Sequence, residues 1–357
     1  MTKTILVINT GSSSVKASLF AADAPLTLMA RKHIDRIGST PQDTHENALR
    51  AILDWSKEQN GSLSAVAHRV VHGGDLFSDP VAVTPPVLEQ LRRFSPLVPL
   101  HQPNNLLAIE IFNRLRPELL QIACFDTAFH AGHDPLFTAY ALPKSLADKG
   151  IRRYGFHGLS YEWVSHVLRR DDPELAGGRV IVAHLGSGAS LCALLKGKSI
   201  DSTLGMTALD GLPMGTRCGS LDPGALIYMM RDLKISPDEV ERLLHYDSGL
   251  KGLSGITNDV RTLLASKDPK AAFAIDYFCL KTAQFMGMMA VSLGGVDGIV
   301  FTGGVGENAA PVRDAILARV GFLGTFKTLI VPADEERVMA MHAMQYMSGN
   351  GQRRKEA

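Results

Sequence analysis

Three glycine-rich segments each follow a run of apolar residues that predicts a β-strand. They are residues 11–14 (GSSS), 186–188 (GSG) and 303–306 (GGVG). Glycine lets a backbone approach a ligand closely, and consecutive main-chain N–H groups of such a turn bind phosphate oxygens. Any one segment taken alone is more simply explained as an ordinary tight connection. The three together, two of them with hydroxyl side chains, indicate a polyphosphate-binding protein.

Polar clusters that contain arginine, histidine or a carboxylate lie between the apolar runs, and three of the five also contain glycine. Asp126 ends an apolar strand, which is where α/β proteins present catalytic groups. Arginine suits an oxyanion because its planar guanidinium donates two parallel hydrogen bonds. Taken singly, each arginine is also explained as a surface charge and each histidine as a core or surface group. The clusters are residues 68–74 (HRVVHGG), 125–130 (FDTAFH), 152–158 (RRYGFHG), 214–219 (MGTRCG) and 258–261 (NDVR).

One glycine segment also fits a different cofactor. Residues 304–309 (GVGENA) follow a predicted strand and match the G-x-G-x-x-A fingerprint of dinucleotide-binding proteins. A nicotinamide-dependent dehydrogenase is therefore an alternative, although it leaves the other clusters unexplained and predicts no magnesium requirement. The sequence has no Walker A loop, no G-x-S-x-G nucleophile motif and no H-E-x-x-H zinc motif.

The elements that must position these residues alternate between strands and helices, which predicts an α/β fold. Residues 5–12 align with residues 180–187, so that Val, Gly and Ser recur at equivalent places. The match is either chance or an internal duplication in which each half opens with a strand, a glycine turn and a second strand. The predicted strands are 4–8, 65–71, 119–125, 179–184, 298–302 and 328–331, with hairpin partners that end at residues 20 and 195. The predicted helices are 43–59, 85–94, 104–115, 158–170, 223–231, 237–244, 269–293 and 333–347, and one that follows the glycine turn at 303–306 and ends at residue 320.

Length and composition set further limits. The chain has 357 residues, enough for two domains, and a net charge of +1, which gives no electrostatic reason to expect nucleic acid or an acidic membrane as a partner. None of the four cysteines forms a C-x-x-C pair, as expected for reduced thiols in a cytosolic protein. The apolar runs at 5–8 and 285–296 are too short for a signal peptide and a membrane span. We therefore expect a cytoplasmic protein.

A family resemblance rests on these same motifs. Residues 9–16 (NTGSSSVK) resemble the first signature of acetate kinases, and residues 152–161 (RRYGFHGLSY) resemble the second. The resemblance runs from about residue 4 to about residue 342, and the sequence is identified as a member of the acetate/propionate kinase family. Further motifs in family order are residues 68–74, 99–104 (PLHQPN), 126–130, 184–190, 205–223, 258–261 and 301–308.

The resemblance implies an α/β, duplicated two-domain fold of the actin/Hsp70/sugar-kinase type, with an ATP cleft between the domains. It implies an N-terminal domain of residues 1–126 plus 336–357, on the acyl and phosphate side. Residues 127–335 would form the C-terminal domain, on the nucleotide side, and carry the interface of a homodimer. The implied partners are a small carboxylate and a nucleotide.

The implied reaction is a reversible, direct in-line transfer of a phosphoryl group from ATP to acetate, which leaves ADP and requires Mg²⁺, with Mn²⁺ as a substitute. By the resemblance, Arg69 binds the carboxylate or the phosphoryl group, and Asp126 orients or activates the carboxylate. Arg217 and His157 would stabilise the transition state. Asn9 and Glu335 would hold the metal, although Glu335 is also explained as an acidic residue at a helix N-terminus. The remaining implied contacts are Val71, Leu100 and Phe156 around the acyl group, Ser12, Ser14 and Lys16 at the phosphates, and His184, Leu185, Gly186, Ser187, Gly188, Asp259, Val260, Arg261, Gly304, Val305, Gly306, Glu307 and Asn308 around the nucleotide.

Several positions depart from the family pattern. Ser187 replaces the asparagine of the usual H-L-G-N-G, and Ala208 falls in a segment that usually reads T-P-x-E. The smaller Ala208 opens the acyl pocket slightly and would favour propionate. Residues 218–220 (CGS) replace the usual S/C-G-D, and the chain is short for the family around residues 21–40 and 323–327. A propionate or butyrate kinase, and a non-catalytic nucleotide-binding relative, are therefore the alternatives to an acetate kinase.

Overall fold

The computed structural model describes residues 2–59, 61–99 and 101–349. The chain divides into two compact units, one of residues 1–131 with 334–357 and the other of residues 132–333. The predicted domain limits were residues 126 and 336. With the observed limits, Glu335 lies in the first unit and not in the second.

The first unit is built on a six-stranded mixed sheet with the order β3-β2-β1-β4-β6-β5. Its strands are β1 (Thr2–Thr10), β2 (Ser14–Ala21), β3 (Thr27–Asp35), β4 (Gly61–Val70), β5 (Val81–Ala82) and β6 (Leu120–Phe125). β1, β2 and β3 pair antiparallel, whereas β1, β4 and β6 pair parallel. Strand β3 lies at the sheet edge in the segment that is short for the family, and the sequence analysis missed it. Its residues alternate between exposed and half-buried and contribute little to the core, so its sequence has only a weak pattern of apolar residues.

Three helices cover one face of this sheet or connect its strands. They are α1 (His45–Glu58), α2 (Pro85–Arg92) and α3 (Gln102–Leu115). Helix α1 starts where the side chain of Thr44 accepts a hydrogen bond from the main-chain N–H of Asn47, at 3.1 Å. Leu6 of β1, Ile52 of α1 and Phe112 of α3 are fully buried in one core, which holds the helices against the sheet.

The second unit repeats the strand arrangement of the first. Its strands are β7 (Arg179–Leu185), β8 (Ala189–Leu195), β9 (Lys198–Ser202), β10 (Gly298–Thr302) and β11 (Lys327–Ile330). Their order, β11-β10-β7-β8-β9, is that of β6-β4-β1-β2-β3, with the same antiparallel and parallel pairings. The repeat supports the internal duplication that the alignment of residues 5–12 with 180–187 indicates.

Helices make up most of the rest of the second unit. They are α4 (Pro135–Thr138), α5 (Lys144–Ala147), α6 (Gly158–Asp171), α7 (Pro173–Ala176), α8 (Pro223–Arg231), α9 (Pro237–Tyr246), α10 (Gly249–Ser254), α11 (Val260–Ala265), α12 (Pro269–Leu293), α13 (Gly303–Asn308) and α14 (Ala310–Val320). The prediction of a glycine turn at 303–306 was wrong, because α13 begins at Gly303 directly after β10. Over the described ranges, no helix is both long and apolar enough to cross a membrane.

The last helix, α15 (Glu335–Met347), belongs to the first unit and packs on β1 and β4. The Asp334 carboxylate caps it by accepting from the main-chain N–H of Arg337, at 3.3 Å. The Arg337 guanidinium also donates to the carbonyl oxygen of Leu26, at 2.8 Å. These contacts fix the first turn of α15, and so the position of Glu335. Short 3₁₀ turns occur at Ser95–Leu97, Ala128–His130 and Gly321–Leu323.

Candidate active site

In the first unit, an arginine and an aspartate meet at the ends of two parallel strands. Arg69 stands one residue before the end of β4, and Asp126 directly follows β6. Nε of Arg69 donates to Oδ1 of Asp126 at 3.0 Å, and Nη2 donates to Oδ2 at 2.6 Å. Nη1 lies 3.9 Å from Oε2 of Glu335, the first residue of α15. The fold thus brings together three residues that were predicted as site residues from distant parts of the chain.

Burial makes this ion pair strongly coupled. The side chain of Asp126 is 2% exposed and that of Arg69 is 20% exposed. Burial raises the pKa of Asp126, and the charge of Arg69 opposes this rise. Burial alone would lower the pKa of Arg69, but the charges of Asp126 and Glu335 outweigh it and raise the pKa. Both oxygens of Asp126 therefore serve to hold a permanently charged guanidinium in one orientation.

The predicted phosphate-binding turn joins β1 to β2. The main-chain N–H of Gly11 donates to the carbonyl oxygen of Ser14 at 2.8 Å, which closes the turn. Asn9 and Lys16 are cross-strand partners, so their side chains project from the same face of the hairpin. His45 donates from Nε2 to the carbonyl oxygen of Gly11 at 2.9 Å, and thereby ties the turn to the first turn of α1. Sequence reasoning did not find His45.

Two buried amides of α3 fix the neighbouring strand ends. Asn105 accepts from the main-chain N–H of Val71 at 3.2 Å and donates to the carbonyl oxygen of Thr10 at 2.9 Å. Gln102 bonds both the N–H and the carbonyl oxygen of His72, at 3.1 and 2.9 Å. Gln102 lies in the PLHQPN motif, which marked this segment in the sequence. The residue types of the motif did not indicate that Gln102 would bond the main chain of His72. Leu100, predicted to contact the acyl group, lies outside the described residues.

The residues predicted to hold a metal are Asn9 and Glu335. Among the residues that the structure describes, no three His, Cys, Asp or Glu side chains cluster as a ready-made metal site. One amide oxygen and one carboxylate nevertheless suit Mg²⁺, which usually takes one or two protein carboxylates and fills its other positions with water and substrate phosphates. Both side chains belong to the first unit and are of the ligand types that Mg²⁺ takes.

In the second unit, two histidines stand side by side at the start of α6 and the end of β7. The ring centroids of His157 and His184 are 4.4 Å apart. Nδ1 of His157 lies 2.7 Å from Oγ of Ser190, and Nδ1 of His184 lies 2.8 Å from Oγ of Ser160. His157 has a left-handed backbone, with φ of 59°, a conformation that L-residues adopt at a cost and that concentrates at functional sites.

Several segments with predicted site residues lie close to the glycine turn between β7 and β8. A Cβ placed on Gly188 would lie 3.2 Å from Nε2 of His157, and one on Gly186 would lie 3.8 Å from Nε2 of His184. The main-chain N–H of Gly215 donates to the carbonyl oxygen of Ser187 at 3.3 Å. On another side of the turn, a Cβ on Gly186 would lie 3.9 Å from the main-chain nitrogen of Gly304. A Cβ at Gly188 would thus crowd the ring of His157, whereas one at Gly186 would make ordinary van der Waals contacts.

Arg217 lies in the loop between β9 and α8. Its Nη1 donates to the carbonyl oxygen of Ala208 at 3.2 Å and lies 3.6 Å from Sδ of Met214. Burial, aided by the positive charge of Arg217, lowers the pKa of His245 to about 4. Ala208 therefore contributes its main chain to the placement of Arg217, in addition to any effect of its small side chain.

Other residues predicted at the nucleotide have local partners. Asp259 caps α11 by accepting from the main-chain N–H of Thr262 at 2.8 Å, while the Arg261 side chain is 90% exposed. Glu307 accepts from the main-chain N–H of Ala333 at 3.0 Å, and Asn308 donates to the carbonyl oxygen of Gly304 at 2.9 Å. The other predicted residues differ in their exposure to solvent. Buried are Val71, Phe156, Leu185, Val260 and Gly306, whereas Ser14 and Val305 are half-buried and Ser12 is exposed.

Two solved structures share this fold over almost the whole chain. A propionate kinase from Francisella tularensis subsp. tularensis SCHU S4 has a TM-score of 0.88 and 32% identity, covering 95% of this chain and 98% of that one. The acetate kinase of Porphyromonas gingivalis has a TM-score of 0.86 and 32% identity, covering 97% and 100%. The fold of this chain, with its two similar sheets, is thus that of the acetate and propionate kinases.

Sequence comparison defines the family. The Acetokinase family model matches residues 4–343. An acetate kinase of Rhodopseudomonas palustris strain TIE-1 is 43% identical over 400 residues, covering 98% of this chain and 100% of that relative. The protein belongs to the acetokinase family, which confirms the resemblance seen in the motifs, and it is a phosphotransferase.

Proposed function

We propose that the protein is an acetate kinase, which transfers the γ-phosphoryl group of ATP to acetate and gives acetyl phosphate and ADP reversibly. The observation that carries the proposal is the Arg69 guanidinium, which Asp126 fixes at the ends of two parallel strands. Both reactants are anions, so catalysis requires positive charge and positioning more than it requires a base.

The step balances without a protein-derived proton. A carboxylate oxygen of acetate attacks the γ-phosphorus, and a new P–O bond forms. The bond from that phosphorus to the β,γ-bridging oxygen breaks, and the electron pair leaves with ADP. Because acetate is already ionised near neutral pH, Asp126 need not act as a general base. Its bonds to Arg69 support a role in orienting the guanidinium, and through it the carboxylate.

We assign the acyl and phosphate side to the first unit. Arg69 would bind the carboxylate or the transferring phosphoryl group, and Val71 would contact the acyl chain. The Gly11–Ser14 turn, with Lys16 beside it, would bind phosphate oxygens through its N–H groups and hydroxyls. Asn9 and Glu335 would hold Mg²⁺. When bound, Mg²⁺ neutralises charge on the phosphates.

We assign the nucleotide side to the second unit. The 186–188 turn, with Gly304 near it, has glycines where a backbone must approach a ligand closely. His157 and Arg217 would stabilise charge on the phosphoryl oxygens as it develops. Asp259 and Arg261 remain proposed nucleotide contacts. The capping bond of Asp259 to α11 supports this by fixing the helix start.

The choice of acid is the main alternative within the family. Ala208 is small where the family usually has a larger residue, and one of the similar solved structures is a propionate kinase. A propionate or butyrate kinase is therefore the second candidate. Because one methylene in an apolar pocket is worth about 1–3 kcal/mol, the three acids should differ measurably in kcat/KM.

Trapping with hydroxylamine tests the proposal. The full chain with ATP and Mg²⁺ should form an acyl hydroxamate from acetate, and kcat/KM should be compared with propionate and butyrate. A higher kcat/KM for propionate would assign that activity instead. Absence of product with all three acids, in protein that binds ATP, would identify a non-catalytic relative and contradict the proposal.

We also propose that the protein is a homodimer. Helix α8 has no buried residue within the chain, and it exposes Ile227, Tyr228 and Met230 by 51%, 55% and 38%. Apolar side chains that cover nothing on a helix usually face a partner. Light scattering should give a mass of about twice 38.6 kDa. Tyr228→Glu should lower it towards one chain, whereas Leu136→Glu, at an exposed position on α4, should not. A monomeric wild type would contradict the dimer.

A further inference from the structure

We infer that Tyr161 and Ser190 form a hydrogen-bond relay that sets the tautomer of His157, and that both are positioning residues for catalysis. The hydroxyl of Tyr161 contacts Oγ of Ser190, and this oxygen lies 2.7 Å from Nδ1 of His157. Tyr161 and Ser190 are both fully buried. Three polar groups therefore form one chain that ends at a proposed catalytic residue.

The hydrogen-bonding groups allow three arrangements of this chain: Ser190 donates to His157, Ser190 donates to Tyr161, or Ser190 accepts from both. Ser190 has one proton to donate. If Tyr161 donates to Ser190, Ser190 donates to Nδ1 of His157, and the neutral imidazole carries its proton on Nε2. In the reverse direction, Nδ1 of His157 donates to Ser190, and Ser190 donates to Tyr161. The neutral ring then has only an acceptor on Nε2. In the third arrangement, Nδ1 of His157 carries the proton, and Nε2 of the neutral ring is an acceptor.

The first direction suits the site. Nε2 is the ring nitrogen that faces the 186–188 turn, since a Cβ on Gly188 would come within 3.2 Å of it. A transferring phosphoryl group offers only acceptor oxygens, so an Nε2–H group can bond it whereas an Nε2 acceptor cannot. The relay thus supplies a donor from a neutral imidazole and adds no cation to that of Arg217.

The backbone reinforces the same assignment. His157 holds a φ of 59°, in the left-handed region, immediately before α6. Its carbonyl oxygen accepts from the main-chain N–H of Tyr161 at 3.1 Å, so the residue that ends the relay also belongs to the first turn that fixes His157. The main chain and the side chain of His157 are therefore both held by hydrogen bonds, as expected of a preorganised catalytic group.

The neighbouring His184 provides an internal comparison. Its Nδ1 is held by Ser160 at 2.8 Å, and Ser190 is the cross-strand partner of His184. The two hydroxyl–imidazole pairs therefore cross between α6 and the β7–β8 hairpin. A change at Tyr161 should act on His157 and leave the Ser160–His184 pair in place.

Nitrogen NMR of the histidine-labelled full chain tests the relay. In wild type, without substrate, His157 should show a protonated Nε2 and an unprotonated Nδ1, with its signals assigned by their loss in His157→Gln. Tyr161→Phe should shift His157 towards a mixture of tautomers and lower kcat about tenfold, with the KM values for ATP and acetate nearly unchanged. Tyr154→Phe removes a hydroxyl that bonds the carbonyl oxygen of Gly150, and should change neither quantity.

The inference rests on the proposed kinase function for its catalytic part, and the two are separable. The tautomer is read without turnover, so wild type with a protonated Nδ1 on His157 contradicts the relay even if acetyl phosphate forms. Unchanged tautomer and kcat in Tyr161→Phe contradict it as well. Lack of acetyl phosphate formation in wild type contradicts the kinase function and leaves the tautomer to be measured.

Discussion

The guanidinium of Arg69 faces the carboxylate of Asp126, and two of its nitrogens, Nε and Nη2, donate to the two carboxylate oxygens at 3.0 and 2.6 Å. The pair spans the C-terminal ends of β4 and β6, which are parallel neighbours. A bidentate pair fixes the plane of the guanidinium as well as its position. The third nitrogen, Nη1, is left facing the side of Glu335.

Asp126→Asn should therefore act through Arg69. The amide has one acceptor oxygen where the carboxylate has two, so it cannot hold both nitrogens and it removes the compensating charge. We expect kcat/KM for the acid to fall about hundredfold, with most of the loss in the KM for acetate. Steady-state kinetics at fixed ATP measures both quantities.

A matched control exists elsewhere in the chain. Asp297 makes a similar bidentate pair with Arg179, but at the surface, where the two side chains are 40% and 39% exposed. Asp297→Asn should leave kcat/KM unchanged, because exposed pairs contribute little. Equal losses in the two variants would show that Asp126 matters only to stability.

Arg217→Ala should remove a positive charge from the proposed transition-state contacts. We expect kcat/KM to fall by about hundredfold or more, which is the scale of a lost charge stabiliser. Arg231→Ala, at an exposed position on α8, serves as the matched control. Near-normal turnover of Arg217→Ala in acyl hydroxamate formation would refute the assignment of Arg217.

Gly188→Ala should crowd the proposed catalytic imidazole. The added methyl would lie 3.2 Å from Nε2 and 3.3 Å from Cε1 of His157, so the ring or the turn must move. We expect kcat to fall at least about tenfold, because small misplacements of catalytic groups are costly. Gly321→Ala, with nothing near its Cβ, should retain full activity and the same thermal midpoint. Wild-type kcat in Gly188→Ala would exclude a functional role for this contact.

Asn105→Ala should loosen two strand ends at once. It removes the bonds to the carbonyl oxygen of Thr10 and to the N–H of Val71, and leaves both groups buried without that partner. The free energy of unfolding should fall by about 2–6 kcal/mol, at about 1–3 kcal/mol for each group. Urea unfolding measures this loss, with Asn47→Ala at an exposed position as the reference. A loss equal to that of Asn47→Ala would contradict the role of Asn105.

The buried histidine of β4 predicts a specific loss of stability in acid. Burial lowers the pKa of His68 to about 3, below its ordinary value of 6.5. The unfolded chain therefore binds a proton below pH 6.5 that the folded chain refuses, and stability falls as the pH falls from 6.5 towards 3. Between pH 6.5 and 5, wild type should lose about 2 kcal/mol more than His68→Gln in urea unfolding. His33→Gln, on the exposed edge strand, should follow wild type, and parallel curves for wild type and His68→Gln would refute the prediction.

Local patterns predicted much of the fold. The apolar runs identified strands that the structure contains, and the 5–12 and 180–187 match anticipated the repeated strand order. Edge strand β3 was missed because an exposed strand carries little apolar signal. The prediction of a turn at 303–306 was wrong, because glycine usually indicates a turn, whereas here β10 leads directly into α13. A short glycine-rich sequence does not distinguish a turn from the start of a helix.

The sequence predicted those residues of the candidate site that lie in recognisable motifs. Arg69, Asp126 and His157 stood out because charged residues lie beside glycine or at strand ends. The residues that hold neighbouring groups in place, such as Asn105 and Ser190, could not be recognised in the sequence. They are ordinary polar residues whose hydrogen-bond partners lie far away in the chain. Only the tertiary structure shows that such a side chain is buried and to which group it bonds.

The repeated sheets also have a consequence for symmetry. In β4, His68 pairs with Ile8, and in β10, Phe301 pairs with Ala183, the residue that aligns with Ile8. Arg69 of one copy thus corresponds to Thr302 of the other, which is fully buried. Helix α13 begins at the next residue, Gly303, where a Cβ would lie 2.8 Å from the carbonyl oxygen of Leu185. The corresponding strand positions therefore carry a charged guanidinium in the first unit and a buried hydroxyl in the second. The repeated strand arrangement thus presents different chemistry in its two copies, and the units are not equivalent at this position.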